Sequence, residues 1–186
     1  MKTRMMLFCV AISLFMIIGC SNAPKEPKEY IHTQAKFKIT APGKWYLDVE
    51  DAESFTFRRG KTRLIEVGSY SIPATTSELD NLSGEELSQA LEDAALGGLS
   101  EYCKAVQLTG YRVDTRNRIT WAGLPAYRIK VFGFAATIYE TVEIDLLVTL
   151  DSRKSLMYIF ISQIAKSEYD EAAEDIEKTI ASFKTI

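Results

Sequence analysis

The chain has 186 residues, 47% of them hydrophobic and 25% charged, values that suit one globular domain and exclude a wholly disordered chain. Lys and Arg number 22 against 25 Asp and Glu, a formal charge of −3, so the basic face that a nucleic-acid partner requires is not expected. Three cysteines and one histidine make no Cys/His cluster for zinc, and no metal or cofactor is expected.

Lys2 and Arg4 precede an almost wholly apolar run from Met5 to Ile18, with Ser13 inside it. A charged n-region followed by such an h-region is the pattern of an export signal. The run is shorter than the roughly 20 residues that span a bilayer core. It ends in Ile17-Ile18-Gly19-Cys20, which resembles the lipobox at which lipoprotein signal peptides are cut and the cysteine acylated. The expectation is a lipoprotein signal peptide over 1–19, a lipidated (palmitate-bearing) Cys20 opening a flexible tether over 20–30, and a globular domain over 31–186. Ser21 to Lys28 reads SNAPKEPK, whose prolines and mixed charges leave little to bury. The lipid makes the membrane one partner, with the domain facing the periplasm or the exterior. Ser21 stands where a retention aspartate would be, so by the same resemblance an outer membrane, where the source has one, is the expected destination.

Phe37-Lys38-Ile39-Thr40 alternates as a half-buried strand does, and Ala41-Pro42-Gly43 breaks it. Trp45 to Val49 and Ser54 to Arg58 read as further strands, and Arg59-Gly60-Lys61 as a hairpin turn into a long strand over Thr62–Ile72. Pro73 to Asn81 is a polar connection. Ser83 and Glu86 have capping-box spacing, and Leu87, Ala90, Leu91, Ala94, Ala95, Gly98 and Tyr102 follow at helical period. Gly97-Gly98 marks a bend or a close approach. Val106 to Val113 reads as a strand, and Asp114 to Gly123 as a loop or hairpin that carries Trp121. Three regular strands follow around Tyr127–Val131, Val142–Leu150 and Leu156–Ile164, in the pattern of an antiparallel meander. The last is apolar throughout, as for a strand covered on both faces. Ser167 is the expected N-cap of a closing helix whose stripe is Tyr169, Ala172, Ala173, Ile176, Ile180 and Phe183. Hairpins with few helices predict an α+β fold with a central antiparallel sheet covered by helices.

Phe37-x-Ile39-x-x-Pro42-x-x-Trp45 resembles the opening of PsbP-like proteins, a family that includes the bacterial DcrB-type lipoproteins. The ending is similar too: a long hairpin, the strand Leu156–Ile164, and a last helix that finishes Ile180-Ala181-Ser182-Phe183. The resemblance implies an α/β/α sandwich and a non-catalytic accessory or assembly role. It carries over no metal or partner residue.

The side chains themselves offer little chemistry. A nucleophile needs a histidine held beside it, and His32, the only one, stands at the tether's edge, where a solvated or strand-edge role is expected. Cys103 reads as a small apolar residue in a helix core. The acidic run Asp48, Glu50, Asp51 and Glu53 lacks the spacing of a calcium loop and reads as solvated. Arg58, Arg59, Lys61 and Arg63 form a basic hairpin, a candidate for a partner or anionic head groups. Trp121, placed in a loop, is the candidate surface aromatic. Tyr139, Glu143 and Asp145 share an outward face, toward water or a helix layer. The reading is a lipid-anchored, non-enzymatic binding or assembly module of the cell envelope with an envelope protein as partner. A carrier of a small apolar ligand, enclosed between the sheet and the helix Leu87–Tyr102, is the alternative, and an envelope hydrolase stands behind both.

Overall fold

A computed structural model describes residues 23–72 and 81–186. The expected signal segment, Cys20 and most of the Pro73–Asn81 connection lie outside the described residues. Among the described residues no helix is long and apolar enough to cross a membrane.

The strands are β1 (Lys28–His32), β2 (Phe37–Ala41), β3 (Tyr46–Glu50), β4 (Ser54–Arg59), β5 (Arg63–Ser71), β6 (Leu108–Trp121), β7 (Leu124–Ala135), β8 (Glu140–Asp151), β9 (Leu156–Ala165) and β10 (Lys184–Thr185). The helices are α1 (Gly84–Ala105) and α2 (Tyr169–Ser182). The large sheet runs β3-β4-β5-β9-β8-β7-β6 and the small one β1-β2-β10, with every pairing antiparallel. The fold is therefore α+β, as the hairpin pattern predicts, and β7-β8-β9 is the expected meander.

Paired residues on neighbouring strands share a face of the sheet. On one face Tyr127, Ile129, Val131, Ile144, Leu146, Val148, Ile159 and Ile161 pack under Leu91, Ala95, Leu99 and Tyr102 of α1. On the other, Phe55, Phe57, Ile65, Val67, Leu147, Tyr158 and Phe160 meet Ile176 and Ile180 of α2 and Phe37 and Ile39 of β2. β9 contributes to both cores, which is why its sequence is apolar without alternation.

The capping box at α1 is present: Ser83 Oγ accepts from the Glu86 amide at 3.2 Å, and Glu86 Oε2 from the Ser83 amide at 2.9 Å. Ser167 does not cap α2. A 3-10 turn over Lys166–Glu168 intervenes, and Glu168 occupies the cap position without a capping side chain, its carboxylate being held by Thr62 and Arg63. The segment assigned to the tether is partly built into the fold. Lys28–His32 pairs with β2, the Lys44 amide donates to the Pro24 carbonyl at 2.6 Å, and a Cβ on Gly43 would stand 2.4 Å from the Lys25 carbonyl oxygen. Only glycine lets these two backbones approach so closely.

Candidate interaction surface

The residues expected to face a partner are mostly spent inside the domain. Trp121 is the last residue of β6, not a loop residue, and is 3% exposed. Ala122 and Gly123, both at positive φ, turn the chain directly into Leu124, a two-residue hairpin that drives the indole into the core. There it stacks on Phe183 with centroids 4.2 Å apart, and Nε1 donates to the Ile180 carbonyl at 2.9 Å.

The basic hairpin is corrected in the same way. Arg63 is buried and held by Glu171 at 2.8 Å and Glu168 at 3.2 Å. The hydrogen bond to Glu171 pushes the guanidinium above its ordinary range against the opposing pull of burial. Both carboxyls sit below theirs, Glu168 through the Thr62 hydroxyl first and Arg63 second, Glu171 through Arg63. Arg59 reaches Glu171 at 2.7 Å and Asp175 at 3.6 Å, and Arg58 is bound to Asp48. Lys61 alone of the four is exposed with no ion pair among the described residues. The acidic first turn of α2, well placed for the helix dipole, thus also neutralises this hairpin.

Glu143 and Asp145 face the second helix layer and not water. They are 3% and 2% exposed, at the foot of a charged seam between β7, β8 and α2. Arg128 grips Asp145, its Nε 2.9 Å from Oδ1, and also Glu177 on α2. Lys130 donates to the Tyr169 hydroxyl at 3.0 Å and lies 3.6 Å from both Glu143 and Asp145. Burial pushes the Glu143 carboxyl above its ordinary range. Tyr139 does not join this seam: it is in a turn at positive φ, 82% exposed.

The remaining chemical candidates are structural. His32 lies on the edge strand β1 but is buried: Nε2 donates to the Asp51 carbonyl at 2.8 Å, and Nδ1 accepts from the Ala35 amide at 3.2 Å. Cys103 is buried in α1, where desolvation pushes its thiol up to about 11 and keeps it protonated at neutral pH. Trp45 is fully buried as expected. Between α1 and the sheet, beside Gly98 and Tyr102, lies a cavity of about 20 Å³, room for one water. The close approach at Gly98 is filled by Leu146, whose methyl would stand 3.6 Å from an added Cβ. An apolar ligand has no space there. Among the described residues no group of three or more His, Cys, Asp or Glu side chains is placed to hold a metal.

What the fold leaves open is the β6 end of the large sheet. β6 is exposed along almost all its length, with Thr115 and Ile119 half-buried. Two bulges, between Thr109 and Arg112 and between Val113 and Thr115, bend its first half. Tyr111 and Val113 are 49% and 36% exposed, and Phe134 on β7 is 41% exposed. Gly133 makes room for this arrangement: a Cβ there would stand 2.8 Å from side-chain atoms of Leu108 and Tyr111. The Arg112 guanidinium and the Lys166 ammonium both lie over the Phe132 ring, at 6.0 and 5.9 Å from its centroid. Arg112, Arg116 and Lys166 form no ion pair among the described residues, and Arg118 reaches only the exposed Glu85, at 3.4 Å. Sequence reading missed this surface because β6 is polar on both faces and shows no alternation.

No protein-family model matches the chain, and a search of curated proteins finds no sequence relative. Solved structures do match. The chain is similar to cyanobacterial PsbP (CyanoP) of Synechocystis, with a TM-score of 0.62 at 15% identity over 90% of this chain and 98% of that one. It is also similar to the Ran-binding protein Mog1p of Saccharomyces cerevisiae, with a TM-score of 0.57 at 10% identity over 87% of this chain and 96% of that one. A Bacteroides thetaiotaomicron protein matches with a TM-score of 0.55 at 15% identity, over 87% of this chain and 49% of its own. These likenesses show the fold alone: the chain has the α+β architecture shared by PsbP and Mog1.

Proposed function

We propose that the chain is a lipid-anchored, non-enzymatic binding or assembly module of the cell envelope, which meets a protein partner through the β6 end of its large sheet. One observation carries the reading. At the β6 end Arg112, Lys166 and the exposed Phe134 lie on the α2 face of the sheet, and Arg116 and the exposed Val113 on the α1 face, with Tyr111 exposed in the bulge between them; none of these three cations is ion-paired among the described residues, while Arg58, Arg59 and Arg63 are neutralised within the domain. A charged, aromatic, solvent-facing surface of this kind suits a partner protein. A membrane tether at Cys20 raises the local concentration of such a module beside membrane-bound partners, so modest affinity suffices. The domain then faces the periplasm or exterior, from an outer membrane where the source has one.

The anchor is tested by mass spectrometry of the mature protein. The expected N-terminus is an acylated Cys20, and Cys20→Ala should abolish the modification. An unmodified cysteine, or a mature chain that starts elsewhere, overturns the anchor. The partner is tested by photo-crosslinking in whole cells from position 111 of the full-length lipoprotein, where an exposed aromatic side chain is replaced and the cations are kept. Capture of an envelope protein that is lost in the Cys20→Ala variant is expected, and no adduct overturns the interface. Cys103→Ser should complement a deletion strain fully, because its thiol is buried and protonated. Loss of function in that variant, with its melting unchanged, would return the reading to catalysis.

A further inference from the structure

We propose, resting on the interface reading above, that β6 takes up an extended acidic segment of a partner as an eighth strand of the large sheet, along Thr115–Thr120. β6 ends the strand order, paired with β7 on one side and, among the described residues, with no strand on the other. Alternate residues of such an edge turn their N–H and C=O groups outward, a template for strand addition. Edges are normally guarded by bulges, prolines or charged side chains, lysine above all, and along Thr115–Thr120 Arg116 and Arg118 are the only such guards, which repel a basic strand and admit an acidic one. On β6 both bulges fall before Thr115, while Thr115–Trp121 pairs with β7 in unbroken register and contains neither proline nor lysine. The open run of about six residues is the length of an ordinary strand, roughly 20 Å.

The side chains select the occupant. Arg116 and Arg118 share one face, since they pair with Ile129 and Tyr127, and Thr115 and Asn117 share the other. Residues directly opposite on an incoming strand would stand about 5 Å away, where opposite charges stabilise and like charges destabilise. Carboxylates at alternate positions would therefore meet Arg116, which has no ion pair among the described residues, and Arg118, whose bond to Glu85 is long and exposed. Planar guanidinium groups favour two-point contact with carboxylates. A second copy of β6 is a poor occupant, because a two-fold about Asn117 sets Arg116 against Arg118. The opposite edge, β3, is no better: its Asp48 is bound to Arg58, and a bulge between Leu47 and Val49 breaks its five residues.

The test uses the full-length lipoprotein in detergent micelles. The probe is a blocked nonapeptide that alternates valine and glutamate, with a valine–lysine peptide as control. Binding of the glutamate peptide only is expected, with slowed amide hydrogen exchange confined to 115–120. Arg116→Glu with Arg118→Glu should weaken it about tenfold or more, and leave melting unchanged because both residues are exposed. Failure to bind, equal affinity for the lysine peptide, protection at β3 or elsewhere, or self-association through β6 would each overturn strand addition. The interface reading fails separately, by the absence of a cellular crosslink from position 111. A crosslink without protection at 115–120 in the captured complex would leave the interface standing and remove the strand.

Discussion

Replacing Trp121 by alanine is expected to destabilise the domain by about 3–5 kcal/mol, the range for deleting a large buried aromatic. The indole closes the core between the sheet and α2. It stacks on Phe183 and meets Phe160 edge-on at 6.3 Å, and its N–H is hydrogen-bonded to the Ile180 carbonyl. The hairpin that carries it turns in two residues, and α2 is held from its other end by Arg63, so the walls have little freedom to collapse into the space. The Ile180 carbonyl keeps a second donor, the Phe183 amide at 3.3 Å, so the loss is mainly of packing. Trp121→Phe should therefore recover more than half of the deficit, since it restores the stack without the N–H. Urea unfolding monitored by far-ultraviolet circular dichroism measures both variants. An unchanged midpoint for Trp121→Ala would contradict the buried position and return the indole to the surface.

Trp121 also shows how much of the fold the sequence exposes. β7, β8 and β9 are legible because their two faces meet different environments, which writes a period of two, or a continuous run, into the chain. Among the described residues β6 pairs on one side only and its residues are mostly wet, so Asp114–Thr120 carries no period and reads equally as a loop or a hairpin. The signal that could have found it is local: Ala122-Gly123 between Trp121 and Leu124 is a two-residue turn, and Gly123 fits its second position, where positive φ is required. The fate of the hairpin cations has no such signal. Arg59 and Arg63 meet carboxylates more than 100 residues away, and nothing near them in the chain names those partners. A run of basic residues looks the same whether it awaits a ligand or is neutralised by the domain's own last helix. The surface that remains charged is found by elimination, once every internal pair has been drawn.

Asp145→Ala is expected to cost about 3–5 kcal/mol, because it strands cations that the fold has already desolvated. The side chains of Arg128 and Lys130 are 15% and 18% exposed, and both lean on the buried Asp145. For each cation burial is the largest single influence and opposes the charge, but its partners together (Asp145 with Glu177 for Arg128, Asp145 with the Tyr169 hydroxyl for Lys130) more than restore it, so both sit above their ordinary ranges. With Asp145 gone, Glu177 keeps two hydrogen bonds from Arg128, though from an exposed position, which places the expected loss at the lower end. The seam need not owe its stability to charge, however, since a desolvated ion pair often does no better than apolar groups of similar volume. Asp145→Leu combined with Arg128→Met should therefore recover most of what Asp145→Ala loses, whereas Asp145→Leu alone should not. Thermal melts of the three variants decide it. If the double variant melts as low as Asp145→Leu, the Arg128 guanidinium holds α2 through Glu177 in its own right; if Asp145→Ala melts like the parent, the seam is solvated and the burial of these charges is wrong.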